Sequence, residues 1–263
     1  MTGPPGTGKS SLVDKLIESY RQIGLKVGVI AVDPTSPISG GALLGDRIRM
    51  TRHTGDTKVF IRSMASRGWS GGLSRATSQA IRLMDAAGFN IILLETVGIG
   101  QSDIEVVGVS HAVLVVLMPG LGDDIQVSKA GLMEVGDIYV VNKADLDGAN
   151  PMVASLLSLF RGSRRSPPVL KVSALSGEGI EKLQRSIEEI RSKFDAGDTH
   201  LKLKSIRGMI VETARGAAMA RLAAVSETKA DRLARQVLGG KMSVEKAAAR
   251  LAPWVTSWLR ERN

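Results

Sequence analysis

A glycine-rich loop that ends in lysine and serine stands at the start of the chain. Its residues, Gly3-Pro4-Pro5-Gly6-Thr7-Gly8-Lys9-Ser10, have the G-x-x-x-x-G-K-S/T spacing of a phosphate-binding loop. Glycines let backbone N–H groups turn toward the β- and γ-phosphates, and the N-terminus of the following helix adds partial positive charge. Lys9 reaches the same oxygens, and the Ser10 hydroxyl can bind magnesium. The alternative is a glycine-rich turn that merely precedes a helix. The full spacing favours a phosphate-binding loop, and we predict nucleotide contacts from Gly3, Gly6, Thr7, Gly8, Lys9, Ser10 and Ser11.

A second motif, Asn142-Lys143-Ala144-Asp145, follows the apolar run Ile138–Val141 and selects the base. An aspartate carboxylate accepts two hydrogen bonds from the N1–H and the exocyclic amine of guanine, whereas adenine has no N1–H and carries its amine elsewhere. Asn142 would support the pocket, and the Lys143 stem would cover the base. Alone, such a motif could equally be a solvated turn. Because Ser173-Ala174-Leu175 follows a further strand and can approach the guanine oxygen, we predict GTP and GDP as the ligands.

Three carboxylates are candidates to hold magnesium or its water ligands. Asp33, Asp46 and Glu95 qualify because a hard divalent cation that bridges phosphate oxygens prefers oxygen ligands. Asp33 precedes a proline, so it could instead be a turn or cap residue. Glu95 ends a buried run, where an unpaired carboxylate is costly.

Composition bounds the remaining possibilities. The chain has 263 residues, of which 43% are hydrophobic and 23% charged, as in ordinary globular proteins. No apolar run approaches the length of a membrane span. Cysteine is absent, which excludes disulfides and thiolate metal sites and is compatible with the expected cytoplasmic location. The histidines, His53, His111 and His200, show no ligand spacing and are expected to be structural or exposed.

The net charge of +9 is concentrated in the tail. From Leu201 onward the chain carries 13 Lys or Arg residues against 5 Asp or Glu, whereas the preceding part is nearly neutral. These charges are interspersed with alanine and leucine at helical spacing, without a nucleic-acid-binding motif. The pattern favours solvated helix faces or a face for an acidic protein partner, and makes nucleic acid an unlikely ligand.

Short β-branched runs alternate with helical patterns, which predicts an α/β fold of the P-loop NTPase kind, a mostly parallel sheet between helices. The predicted strands are 27–32, 58–61, 90–94, 112–117, 138–141 and 169–172, and the predicted helices are 10–23, 73–87, 151–160 and 179–193. Ligands of such sheets collect at the carboxyl ends of the strands, where the motifs above lie. The strand that should precede the loop is missing, so we interpret the chain as clipped at its N-terminus.

The tail is predicted to form three helices, over 203–224, 226–238 and 243–259. Gly239-Gly240 separates the second from the third, and Ser243 is a candidate N-cap. An arm of this kind has little core of its own and must pack on something. We therefore predict a nucleotide-binding domain over 1–197 and a helical arm over 198–263.

Several segments together resemble the MeaB/ArgK GTPases, relatives of the human methylmalonic-aciduria type A protein. They are Asp33-Pro34-Thr35-Ser36, the stretch 40–50 around Gly45-Asp46-Arg47, Glu95-Thr96-Val97-Gly98-Ile99-Gly100-Gln101-Ser102, and the stretch 119–126. The similarity runs from Gly3 to about Trp254, with glutamate in place of the usual aspartate of D-x-x-G. It implies a G-protein chaperone that gates cofactor loading of adenosylcobalamin-dependent methylmalonyl-CoA mutase, or a related acyl-CoA mutase, and protects it.

The resemblance also implies roles for individual residues. Lys9 and Ser10 would serve phosphate and magnesium, Asp33, Asp46 and Glu95 the metal shell during catalysis, and Asn142, Lys143 and Asp145 the base. The nucleotide state would be signalled through Gly98, Gln101, Asp123, Asp124, Gln126 and Lys129. The alternative for the stretch 123–129 is a purely structural role, in which it turns the chain into a helix. In the family the C-terminal helices form a homodimer, the alternative being that they pack on their own domain.

Two other functional classes share this sheet and loop. A nickel metallochaperone GTPase of the hydrogenase or urease type usually presents cysteine and histidine ligands. This chain has no cysteine and three scattered histidines, which argues against that class. A small-molecule kinase, the older label for some relatives, is disfavoured by the guanine motif.

Overall fold

The computed structural model describes residues 1–33, 51–53, 55–65, 75–96, 108–120, 132–162, 166–223 and 227–251. It divides into two compact units, Met1–Glu212 and Thr213–Asn263. The extent of a separate arm, placed at 198–263 by the sequence, stays a prediction.

In the described ranges of the first unit, six parallel strands form the centre. They are β1 (Val27–Asp33), β2 (Val59–Ala65), β3 (Ile91–Glu95), β4 (Leu114–Leu117), β5 (Ile138–Val141) and β6 (Val169–Lys171). Strands β2, β1 and β3 form one sheet in that order, and β4, β5 and β6 form another, with every pairing parallel. Strands β4 and β5 are buried at every position, as expected for apolar runs covered on both faces.

The first two residues link the two sheets. The N-terminal nitrogen of Met1 donates to Leu94 O at 2.5 Å, and Thr96 N donates to Met1 O at 3.1 Å. On the other side, Thr2 N donates to Leu114 O at 2.9 Å and Val116 N donates to Thr2 O at 2.8 Å. Met1 and Thr2 thus lie between β3 and β4, directly before the glycine-rich loop.

Helices cover both faces of the sheets. Those of the first unit are α1 (Lys9–Gln22), α2 (Arg75–Ala86), α3 (Leu132–Val135), α4 (Ala149–Phe160) and α5 (Ile180–Asp195), with a 3₁₀ turn at Thr51–His53. Apolar residues of α1 and α5 pack with one set of alternating strand residues, including Val29 and Val140. The other set packs against α4, for example Tyr139, or against α2, for example Ile30. The predicted α/β architecture is therefore confirmed.

Three further helices follow. Helix α6 (Thr199–Ala223) crosses the boundary between the units, and α7 (Glu227–Leu238) and α8 (Val244–Leu251) belong to the second. Lys246 N donates to Ser243 Oγ at 3.3 Å, so Ser243 caps α8 as predicted. The predicted continuation beyond Leu251 lies outside the described residues. Over the described ranges, none of the helices is both long and apolar enough to cross a membrane.

Candidate nucleotide-binding site

The glycine-rich loop turns directly into α1. Gly8 adopts a φ of 83° immediately before Lys9, a conformation that L side chains rarely adopt. A Cβ atom at Gly8 would also lie 2.5 Å from Nδ2 of Asn142, and one at Gly3 would lie 2.1 Å from Val116 O. The glycines therefore let the loop pack against β4 and against the residue that follows β5.

Lys9 lies inside the loop with its ammonium held by loop carbonyls. Nζ of Lys9 donates to Gly3 O at 2.8 Å and to Pro4 O at 3.0 Å, and the residue is 7% exposed. The hydroxyl of Thr7 donates to the same Pro4 carbonyl at 2.9 Å. A full positive charge is thus fixed at the N-terminus of α1, where the helix dipole also favours an anion.

Ser10 and Glu95 meet at the start of α1, although they are 85 residues apart in the chain. The Ser10 hydroxyl donates to Oε1 of Glu95 at 2.7 Å, and both residues are buried. A hydroxyl and a carboxylate side by side next to a phosphate-binding loop are the oxygen ligands that magnesium prefers. These two residues therefore fit the predicted metal shell. Asp33, another candidate for the metal shell, is the last residue of β1, the strand that pairs with β3.

Asn142 connects the glycine-rich loop to the turn after β6. Its Nδ2 donates to Thr7 O at 2.8 Å, and its Oδ1 accepts from Ala174 N at 3.1 Å. A single buried amide therefore fixes the glycine-rich loop against the turn after β6. The sequence predicted a supporting role for Asn142, and its geometry specifies the two segments that it joins.

Asp145 is held by the hydroxyl of Ser173. The Ser173 Oγ lies 2.5 Å from Oδ1 of Asp145 and also accepts from Ser176 N at 3.3 Å, so its own hydrogen points to the carboxylate. This hydrogen bond, followed by the backbone N–H of Asp145, lowers the pKa of the Asp145 carboxyl below its usual value. Asp145 is therefore an ionised acceptor at neutral pH, as guanine recognition requires.

The remaining predicted site residues differ in how far the structure describes them. Lys143 adopts a positive φ of 57°, which is uncommon for a residue other than glycine. Leu175 is 84% exposed beside Ser173 and Ala174, and Ser11 is exposed on α1. Asp46, Gly98, Gln101, Asp123, Asp124, Gln126 and Lys129 lie outside the described residues.

One buried acidic residue on α1, close to the site in sequence, was not singled out by the sequence analysis. Asp14, four residues after Ser10 on α1, is buried and contacts Arg52 and His53. A polar residue within a buried helix face was the only signal of this. His111, which was not expected to be a metal ligand, stacks on Phe194 with ring centroids 4.3 Å apart. Within the described ranges, no three His, Asp or Glu residues form a group that could hold a metal.

Known proteins are similar to this chain in sequence and in fold. The family model described as "Methylmalonyl Co-A mutase-associated GTPase MeaB" matches residues 1–228. A putative GTPase of Pyrococcus horikoshii is 53% identical over 196 residues, which cover 72% of this chain and 62% of that protein. GTPase ArgK of Escherichia coli is 39% identical over 204 residues, 74% of this chain and 62% of that protein.

A mouse relative named "Methylmalonic aciduria type A homolog, mitochondrial" is 38% identical over 204 residues, 74% of this chain and 49% of that protein. The chain thus spans about six-tenths or less of the length of these relatives.

Solved structures agree with the fold. The crystal structure of an LAO/AO transport system kinase has a TM-score of 0.65 at 25% identity, and the match covers 97% of this chain and 80% of that one. The crystal structure of HypB from Helicobacter pylori in complex with nickel has a TM-score of 0.54 at 15% identity. The match covers 73% of this chain and 86% of that one, and it supports the fold alone. On the family match and these identities, the chain belongs to the MeaB family of P-loop GTPases.

Proposed function

We propose that this chain binds and hydrolyses GTP in order to act as a chaperone of adenosylcobalamin-dependent methylmalonyl-CoA mutase, or of a related acyl-CoA mutase. The observation that carries the nucleotide part is the double hydrogen bonding of Asn142, to Thr7 and to Ala174. It fixes the phosphate loop at a set place relative to the base motif, so that one nucleotide can occupy both. The family description, which names the mutase, supports the partner.

Magnesium fits the phosphate end of this proposal. Ser10 and Glu95 would hold the ion or its waters, together with Asp33 and Asp46, and the ion would neutralise charge on the phosphate oxygens. Lys9 supplies a fixed positive charge at the same place. The chain's own contribution is therefore to position these groups before GTP arrives.

The decisive binding experiment compares GTP with ATP by titration calorimetry and then tests capture of the purified mutase by the tagged chain. GTP preference with mutase capture supports the whole proposal. ATP preference would favour a small-molecule kinase, the class for which the LAO/AO transport system kinase is named. Nickel binding without mutase capture would favour a metallochaperone. We propose the cytoplasm as the compartment, although the mouse relative is named as mitochondrial.

Intrinsic GTP hydrolysis is expected to be slow, well below about one turnover per second, as in GTPases without an activating partner. The reason is that Ile99 follows Gly98, where many small GTPases carry a glutamine that orients water, and Gln101 lies two residues further on. Phosphate release should accelerate when purified mutase is added. An unrelated CoA-dependent enzyme at the same concentration is the control, and a fast rate without any partner would contradict the prediction.

The chain is expected to form a homodimer through residues beyond about 200. One side of α6 is closely packed within the first unit, because a Cβ atom at Gly208 would lie 2.2 Å from Gly108 Cα. At 100° per residue, Leu203, Ile206 and Ile210 lie on the opposite side of the helix and are 60%, 49% and 63% exposed. An exposed apolar stripe on a basic helix suits a symmetric, salt-sensitive interface.

Light scattering on the full chain provides the test of the dimer. The double substitution Ile206→Glu and Ile210→Glu should halve the mass, whereas Glu181→Gln, at an exposed position of α5 outside the arm, should leave it unchanged. A chain ending near Gly197 should also be monomeric. If the wild type and the double variant have the same mass, the arm is not the dimer interface.

A further inference from the structure

A buried hydroxyl without a hydrogen-bond partner lies near the carboxyl end of β2. The Oγ atom of Ser63 is buried and makes no hydrogen bond within the part of the chain that the structure describes. Such a hydroxyl is costly, because it has given up its hydrogen bonds to water and gained none in return. Ligands of parallel sheets collect at the carboxyl ends of the strands. The Ser63 hydroxyl is therefore a candidate to bind a group that arrives with the nucleotide.

The sheet places Ser63 in the same row as Glu95. Ala31 of β1 is the register partner of Ser63 on one side and of Glu95 on the other. Register partners on neighbouring strands direct their side chains to the same face of a sheet. Ala31 carries a single methyl group, so no long side chain of β1 stands between the hydroxyl and the carboxylate.

This row faces the helix that follows the glycine-rich loop. The Glu95 carboxylate, at one end of the row, accepts from the Ser10 hydroxyl of α1. Two residues earlier along the strands, Leu93 belongs to the apolar cluster that contains residues of α1, and Ile61 packs against that cluster. Because side chains alternate between the faces of a strand, residues two positions apart share a face. Ser63 therefore lies on the same face of the sheet as the contact between Ser10 and Glu95.

Ser63 also matches Ser10 in its height along the sheet. Helix α1 runs antiparallel to the strands, since its first turn contacts the end of β3 whereas Arg21, near its last turn, donates to Asp56 just before β2. From Ser10 to Arg21 the helix rises about 16 Å, and from Val59 to Ser63 the strand rises about 13 Å. The hydroxyl is therefore at the phosphate end of α1.

We propose that Ser63 is a positioning residue of the nucleotide site, whose hydroxyl holds a water molecule of the magnesium shell beside the Ser10–Glu95 pair when GTP is bound. Two strand spacings separate Ser63 from Glu95, about 10 Å between Cα atoms, which two side chains and one water molecule can span. A bridging water needs at least two polar partners, and its hydrogen bonds are nearly as favourable as direct ones. This inference depends on the GTPase function proposed above.

The test is Ser63→Ala in the full chain, with two readouts that should move in opposite directions. Without ligand, the melting temperature should rise by about 1 to 4 °C, because the variant removes a buried hydroxyl that has no partner. With magnesium, binding of a non-hydrolysable GTP analogue should weaken by about threefold to tenfold, the loss expected for one hydrogen bond. GDP affinity without magnesium should change less than about twofold, because the glycine-rich loop and the base motif are untouched. Titration calorimetry measures both affinities.

Tyr20→Phe is the matched control, because it removes another buried hydroxyl that has no hydrogen-bond partner among the described residues. Tyr20 lies ten residues beyond Ser10 on α1, about 15 Å along the helix axis. This variant should leave the affinity for the analogue unchanged. If Ser63→Ala weakens analogue binding no more than Tyr20→Phe does, Ser63 has no part in the site and the proposal is wrong. A lower melting temperature of Ser63→Ala, with analogue and GDP affinities falling in parallel, would show a structural role and overturn the proposal equally.

These outcomes are separable from failure of the proposed function. If the wild-type chain does not bind GTP, the function proposed above is wrong. If the wild type binds the analogue with magnesium and Ser63→Ala binds it equally well, only the role of Ser63 fails. Ser63→Thr keeps a hydroxyl at this position and should retain the wild-type affinity, so a loss in the alanine variant alone assigns the effect to the hydroxyl.

Discussion

Lys9→Ala is expected to lower GTP hydrolysis by about 10²- to 10³-fold while leaving the fold intact. The ammonium of Lys9 is held by the carbonyls of Gly3 and Pro4 at the N-terminus of α1. It is therefore in place before the reaction, and charge that develops on the γ-phosphoryl group meets a fixed positive partner. Single-turnover phosphate release, with circular dichroism to verify folding, measures the effect.

Lys15→Ala provides the matched control for this experiment. Lys15 belongs to the same helix, but its Nζ pairs with Oε2 of Glu18 at 2.7 Å on a partly exposed surface. Loss of a pair of this kind costs about 0.2 to 1 kcal/mol of stability and should leave turnover unchanged. If Lys9→Ala retains wild-type turnover, Lys9 has no part in the mechanism.

The buried strands were the part of the fold that the sequence predicted best. The run Ile138–Val141 forms β5 with the same limits, because every side chain of a strand covered on both faces must be apolar. Strand β2 was predicted to end at Ile61 but continues to Ala65. It lies at the edge of its sheet, where exposed residues such as Arg62 alternate with half-buried ones and interrupt the apolar run.

Motifs located the nucleotide site, but its internal contacts depend on the tertiary fold. The loop spacing predicted that α1 begins near Lys9, because that geometry is local. The Ser10–Glu95 hydrogen bond joins residues 85 apart, and only the rule that strand ends converge made it foreseeable. Only its place among the apolar residues of α1 could have indicated that Asp14 is buried. An acidic residue on a helix normally indicates a solvated face, and its burial depends on the approach of Arg52 and His53.

Asp145→Asn is expected to weaken GTP binding by about a hundredfold or more and to admit xanthosine triphosphate. The Ser173 oxygen accepts from Ser176 N, so its hydrogen is committed to Oδ1 of residue 145. An asparagine there keeps that hydrogen bond when its Oδ1 faces Ser173. Its Nδ2 then replaces the second carboxylate oxygen, and a donor meets the xanthine oxygen that stands where guanine has its amine.

Calorimetric titrations of GTP and xanthosine triphosphate against both proteins measure this exchange of specificity. Asp147→Asn removes an exposed carboxylate two residues away and should leave both affinities at their wild-type values. Because the hydrogen bond from Ser173 lowers the pKa of Asp145 below its ordinary acidic value, the wild-type acceptor stays ionised from pH 8 to pH 6. GTP binding should therefore not weaken across that range through this group. Unchanged GTP affinity in Asp145→Asn would show that Asp145 does not read the base.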